Sequence, residues 1–228
     1  MRPALLLICT ALLCCGTALA EWPHNNPKLT AKKVTIRRVV LLPAHVSFIR
    51  VGTRGSEGGL PEADQIAGSF DSAVSHELSA RGVEVLAHGA ASDEEKYAIA
   101  DLQARYDSVA VQVRRKPGNV EKGAYTLGDR VAAFQPAASA DAIVVLRGFG
   151  QTYTTGRKVM AAATWNVFGI KGVFRGELAL IDSRTGEVLS FVRFQRQQNM
   201  SEKAEERIAE AVRLALHDVP LPLPPPKK

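Results

Sequence analysis

Between residues 36 and 146 the apolar side chains change period several times, and this alternation limits the fold more than any other feature of the chain. Residues 36–42 are β-branched and aliphatic and stop at Pro43, which predicts a central strand. Pro61 suits a first helical position, and Ile66, Phe70, Ala73, Val74 and Leu78 then recur at intervals of three and four. Arg81-Gly82 ends that helix, and residues 83–86 make a short strand. Ser92 and Glu95 form a capping box for a second helix, whose apolar face is Tyr97, Leu102, Tyr106, Val109 and Val113. That helix ends near Lys116-Pro117-Gly118. Residues 142–146 return to a buried strand that extends through Phe149 to Tyr153.

After Tyr153 the order changes from alternation to a meander. Thr154-Thr155-Gly156 reads as a turn, and residues 159–168 fit either a helix or one face of a strand. Residues 173–181 and 188–194 are two strands joined by Asp182-Ser183-Arg184-Thr185-Gly186-Glu187, a strong hairpin turn. Asn199 or Ser201 caps a last helix striped with Ala204, Ile208, Val212, Ala215 and Leu216, and Pro220 stops it. The expectation is an α/β (α+β) fold: a single, three-layer-like domain over 36–219. A mixed sheet of about five strands would be flanked by helices, with a C-terminal helix closing it. Residues 119–140 are read as a loop with a short helix around 129–134, residues 21–35 as a flexible leader, and residues 220–228 as a Pro-rich tail.

The first 20 residues set the compartment. Met1-Arg2 is a short positive start, residues 4–13 are apolar, and Ala18-Leu19-Ala20 is a small-x-small site before Glu21. That is the layout of a secretory signal peptide cleaved between Ala20 and Glu21. All three cysteines (Cys9, Cys14, Cys15) lie within it, so the expected mature chain carries no thiol for disulfide, nucleophile or zinc chemistry. Leu12-Leu13-Cys14 and Leu13-Cys14-Cys15 place cysteines after apolar residues as lipoproteins do. Both lack the small residue that precedes a lipidated cysteine, so lipidation is the lesser reading.

Loss of Arg2 with that segment takes the formal charge from +6 to +5. The basic residues are scattered and not interleaved with aromatics, and an exported chain does not meet nucleic acid, so no nucleic-acid partner is expected. Peripheral contact with a membrane surface or the cell wall remains open, as does the oligomeric state.

Four stretches resemble a family of bacterial envelope proteins. They are Val39-Val40-Leu41-Leu42-Pro43; the passage from Phe70 through Gly82 to Val85; Ala140-Asp141-Ala142-Ile143-Val144-Val145-Leu146-Arg147-Gly148; and Leu180-Ile181-Asp182-Ser183-Arg184-Thr185-Gly186-Glu187-Val188-Leu189. The family includes the curli secretion channel, an outer-membrane lipoprotein activator of peptidoglycan synthesis, the amino-terminal domain of TolB and small lipoproteins. The resemblance implies a periplasmic, outer-membrane-associated α/β domain that binds proteins or cell-wall machinery and catalyses nothing. Where the channel has its membrane-spanning hairpins, this chain is short and interrupted by Lys171 and Gly172.

No catalytic, metal or cofactor motif stands out. The histidines (His24, His45, His76, His88, His217) show no metal-pair spacing, and no Gly-x-Ser-x-Gly elbow is present. The glycine-rich loop 52–59 leads into Leu60-Pro61-Glu62 rather than Gly-Lys-Ser/Thr, which disfavours a phosphate cradle. Around Trp165 and Phe168 a cationic rim of Arg157, Lys158, Lys171 and Arg175 has the composition of an interface, and the same two aromatics would also serve as core. The expected function is therefore that of an exported, non-enzymatic protein acting in envelope assembly or secretion through contacts with an envelope protein. The alternative is a small-molecule-binding or hydrolytic domain using loop 52–59 and His45, with Asp64 or Asp141 approaching it.

Overall fold

The computed structural model describes residues 19–20, 22–86, 92–156, 158, 172–196 and 204–222. Its strands are Leu19–Ala20 (β1), His24–Asn25 (β2), Arg38–Leu41 (β3), His45–Val51 (β4), Ser56–Gly58 (β5) and Glu84–Leu86 (β6). The chain continues with Ala142–Tyr153 (β7), Val173–Asp182 (β8) and Val188–Arg196 (β9). The helices that frame them are Pro27–Thr30 (α1), Glu62–Ala80 (α2), Asp93–Arg115 (α3) and Ala204–Leu216 (α4).

The α/β class and the helix-flanked mixed sheet are as the periodicity predicts. The strand number is not: one nine-stranded sheet runs β6-β3-β7-β8-β9-β1, with β4 and β5 joining beside β7 and β2 beside β9. β1, β2, β4 and β5 are the additional strands. Pro43 cannot donate to a ladder, so the predicted strand ends there as β3, parallel to residues 142–144 of β7, and β4 begins beyond it, parallel to residues 147–153. The backbone groups at the break are satisfied from both helical layers: Asp71 of α2 accepts the Ala44 N–H at 3.0 Å, and Gln103 of α3 donates to the Pro43 carbonyl at 3.2 Å.

Alternation along β7 divides the core into two. Ala142, Val144 and Leu146 face α2 and α4, where Ile66, Phe70, Val74, Leu78, Ile208 and Val212 meet them. Ile143 and Val145 face α3 and the 3-10 turns at Pro117–Lys122, Asp129–Ala133 and Gln135–Ser139. Ser92 caps α3 by accepting the Glu95 N–H at 3.2 Å, as its sequence predicts. Tyr97 departs from its predicted place on the apolar face: it is 77% exposed, and Ile99 is buried near that end of the helix instead.

The β8–β9 turn forms where the sequence places it. Asp182 Oδ1 accepts the amides of Arg184 and Thr185 at 2.9 and 2.8 Å. Gly186 has φ +69°, and a Cβ there would sit 2.3 Å from the Gly128 carbonyl oxygen, so only glycine fits.

The segment expected to be a flexible leader is instead fastened to the sheet over residues 24–34. β2 pairs with β9, the Asn26 N–H donates to the Leu189 carbonyl at 2.8 Å, and Asn26 Nδ2 donates to Glu187 Oε1 at 2.9 Å. Lys28 also pairs with Glu187, and Leu29 is buried in the core on the α2–α4 side. Composition predicts mobility here because the segment is polar with two prolines. Its one buried leucine and one buried asparagine find partners that are remote in sequence.

Candidate functional site

Period two places Arg147 and Phe149 of β7, Arg175 and Glu177 of β8, and Arg193 and Gln195 of β9 on one face of the sheet. The register then builds two cross-strand rows. His45, Arg147, Glu177 and Arg193 stand in the first; Ser47, Phe149, Arg175 and Gln195 stand in the second. Together with Asp107 and Arg114 of α3 they line a groove of about 780 Å³.

The first row is tied to α3. Glu177, only 7% exposed, receives Arg114 in a two-pronged bridge (Nε to Oε2 and Nη2 to Oε1, both 2.7 Å) and the Tyr106 hydroxyl at 3.1 Å. Burial, then the neighbouring Glu177 charge, push the Tyr106 hydroxyl pKa well above its ordinary value, so it stays a neutral donor. Hydrogen bonding to Glu177 raises Arg114 from its already high value. Arg147 is bound in the same two-pronged way by Asp107 (2.8 and 3.2 Å), and its guanidinium lies 5.7 Å from the centre of the Tyr106 ring. Its buried Nη1 has no hydrogen-bond partner among the described residues.

The second row is differently supplied. Arg175 donates through Nε to Gln195 Oε1 at 3.2 Å and pairs with no carboxylate among the described residues. Phe149, which opposes Arg175 across the ladder, is 41% exposed. The groove therefore holds four arginines against two carboxylates, and both carboxylates are engaged by Arg114 and Arg147.

His45 lies in this groove, but the other members of the predicted alternative site do not come to it. Loop 52–59 turns back on β4 through β5 and lines a separate cavity of about 380 Å³, where Arg50 is paired with Glu62 at 2.8 Å. Asp141 accepts the amides of Arg37 and Arg38 at 2.8 and 2.9 Å, and Asp64 lies exposed in the first turn of α2. A further cavity of about 850 Å³ between α2 and α4 includes His76. Its Glu77 is bound by Arg81 and its Glu210 by Arg196. No group of three or more histidine, cysteine, aspartate or glutamate side chains suited to a metal ion occurs among the described residues, and no described helix is long and apolar enough to cross a membrane.

Of the predicted interface residues, Lys158 is exposed, whereas Arg157, Trp165 and Phe168 lie outside the described residues. Ala20 of the predicted cleavage site pairs with Phe194 on the edge of β9; Glu21 lies outside the described residues. Sequence reasoning placed Arg175 on the rim of that stretch but overlooked Phe149 and Arg193 as its neighbours. The available signal is the odd-numbered polar side chains Arg175, Glu177, Arg193 and Gln195 alternating with even-numbered apolar ones in β8 and β9. The pairing that brings them together is absent from the sequence.

No protein-family model matches the chain, and no curated protein matches it. Among solved structures it is similar to the PelC dodecamer from Paraburkholderia phytofirmans, with 14% identity and a TM-score of 0.43, covering 92% of this chain and 100% of that one. A variant of the same PelC dodecamer is similar at 13% identity and a TM-score of 0.41, covering 90% of this chain and 99% of that one. Likenesses at this level assign neither a family nor a role. Neither structure is of the curli channel or TolB, the proteins to which the sequence motifs point.

Proposed function

We propose that this is an exported, non-enzymatic component of the bacterial envelope, outer-membrane-associated, that acts in assembly or secretion by holding a protein partner in the groove on β4, β7, β8 and β9. The observation that carries the reading is the second row of the groove. An exposed phenylalanine stands beside an arginine that has no carboxylate partner among the described residues, and aromatic–arginine clusters of this kind dominate binding energy at interfaces. The ionisable groups next to it support binding over turnover, because Glu177 and Asp107 are committed to Arg114 and Arg147. The signal-peptide layout of residues 1–20 supports export.

A photo-crosslinking amino acid placed at Gln195 in the full chain, expressed in its native cells, tests this. One recurring envelope-protein adduct is expected from Gln195 and none from Tyr97, which lies away from the groove. Recovery of the protein in the cytoplasmic fraction, or identical adducts from both positions, would overturn the proposal.

A further inference from the structure

We infer that the occupant of this groove is an extended acidic segment of the partner protein, with a carboxylate on Arg175 and an apolar side chain on Phe149. This rests on the binding role proposed above and adds the chemistry of the partner.

Charge comes first. Each carboxylate in the groove is already gripped by two nitrogens of a single arginine, Glu177 by Arg114 and Asp107 by Arg147. Arg175 stands in the same groove and pairs with no carboxylate among the described residues. Among the described residues Arg175 commits only Nε, to the neutral Gln195, and its terminal nitrogens can grip a carboxylate in the two-pronged geometry the other two arginines already show. The buried, unpartnered Nη1 of Arg147 adds donor character to the same wall.

Shape comes second. The row from Ser47 through Phe149 and Arg175 to Gln195 crosses three inter-strand spacings, about 14 Å at about 4.8 Å each. An extended chain rising about 3.3 Å per residue covers that row with about four residues, and its alternating side chains can meet Phe149 and Arg175 in turn.

The test uses the full chain and a fluorescein-labelled peptide of Glu-Ser-Leu-Ser repeats, which brings glutamate and leucine by turns to one face of an extended chain, read by anisotropy at low and moderate salt. Binding is expected, weakening as salt rises. Arg175→Gln and Phe149→Ser should each weaken it at least tenfold with the thermal transition unchanged. Arg54→Gln, in the separate loop cavity, should leave it unchanged. Equal binding of a lysine–leucine peptide overturns the inference, as does an Arg175→Gln protein that is folded and binds as tightly as the parent. Equal competition by free glutarate would assign the groove to a small carboxylate, and tighter binding of polygalacturonate to an acidic polysaccharide; either result also overturns it. If the peptide fails while the Gln195 crosslink persists, the acidic-segment assignment falls and the protein-contact role stands. Loss of both removes both.

Discussion

Gly176→Ala probes whether the sheet carries its aromatic layer directly on backbone. A Cβ at Gly176 would lie 2.1 Å and 2.3 Å from two ring carbons of Phe194, where ordinary carbon contacts are about 3.5–4.0 Å, so the ring must retreat by about 1.5 Å. It has little room to do so. The Phe194 ring is 4% exposed and stands 5.9 Å from the Phe70 ring and 6.3 Å from the Phe174 ring, which are themselves stacked at 5.1 Å. Overpacking of this kind costs about 1–3 kcal/mol, which lowers Tm by about 3–10 °C in a chain of this size. Urea unfolding and thermal melts would read it, and a double-mutant cycle with Phe194→Leu isolates the cause. The leucine background should tolerate alanine at 176, giving a coupling of about 1 kcal/mol or more. Residue 176 faces α2 and its neighbours 175 and 177 face the groove, so peptide binding by the folded variant should stay within twofold. A Gly176→Ala protein within about 0.3 kcal/mol of the parent, or a cycle with no coupling, refutes the packing argument.

Burial raises the Asp71 carboxyl to about 6 against the opposing pull of the Ala44 N–H, so the folded state holds this proton more tightly than the unfolded chain. Its contribution favours folding at low pH and is lost as pH rises from about 4 through 6. Asp71→Asn should therefore be neutral at pH 4 and stabilise by about 1 kcal/mol at pH 8, after discounting for partial exposure, as read by urea titration at both values. Glu177→Ala leaves the Tyr106 hydroxyl buried without a partner and should cost about 2–3 kcal/mol with an unchanged m value. Tyr106→Phe should cost no more than about 1.5 kcal/mol. Asn26→Ala removes a buried amide that both caps α1 and binds Glu187, and should cost about 1–3 kcal/mol and speed proteolysis within residues 27–34; equal cleavage rates would mean the segment is not fastened as described.

Much of the architecture was legible before any coordinates. Ile66, Phe70, Val74 and Leu78 announce α2, Ser92 and Glu95 announce the start of α3, and Asp182 to Glu187 announces the β8–β9 turn; each signal spans a few residues and is satisfied by local geometry. Legibility failed where partners are far apart in the chain. Tyr97 fits an apolar stripe but is exposed, with Ile99 buried in its stead. Residues 24–34 look mobile until Glu187 and Leu189 supply hydrogen bonds to Asn26. The candidate site failed for the same reason. His45 was singled out because it follows a strand end, yet its cross-strand neighbours are Arg147, Glu177 and Arg193, not the loop at 52–59 or Asp141.

The sequence by itself determined the order of the longer strands and helices, most of the faces they present and the signal-peptide layout at its start. Those properties depend on the 3.6- and two-residue periods and on composition within short windows. Only the tertiary structure decided that β4, β7, β8 and β9 lie side by side in one register. That choice turns scattered charges into a groove with two engaged carboxylates, an arginine bound to an amide and an exposed aromatic ring. The physical reason is that cross-strand pairing is set by packing against α2, α3 and α4 together, and each strand's own alternation is compatible with several neighbours.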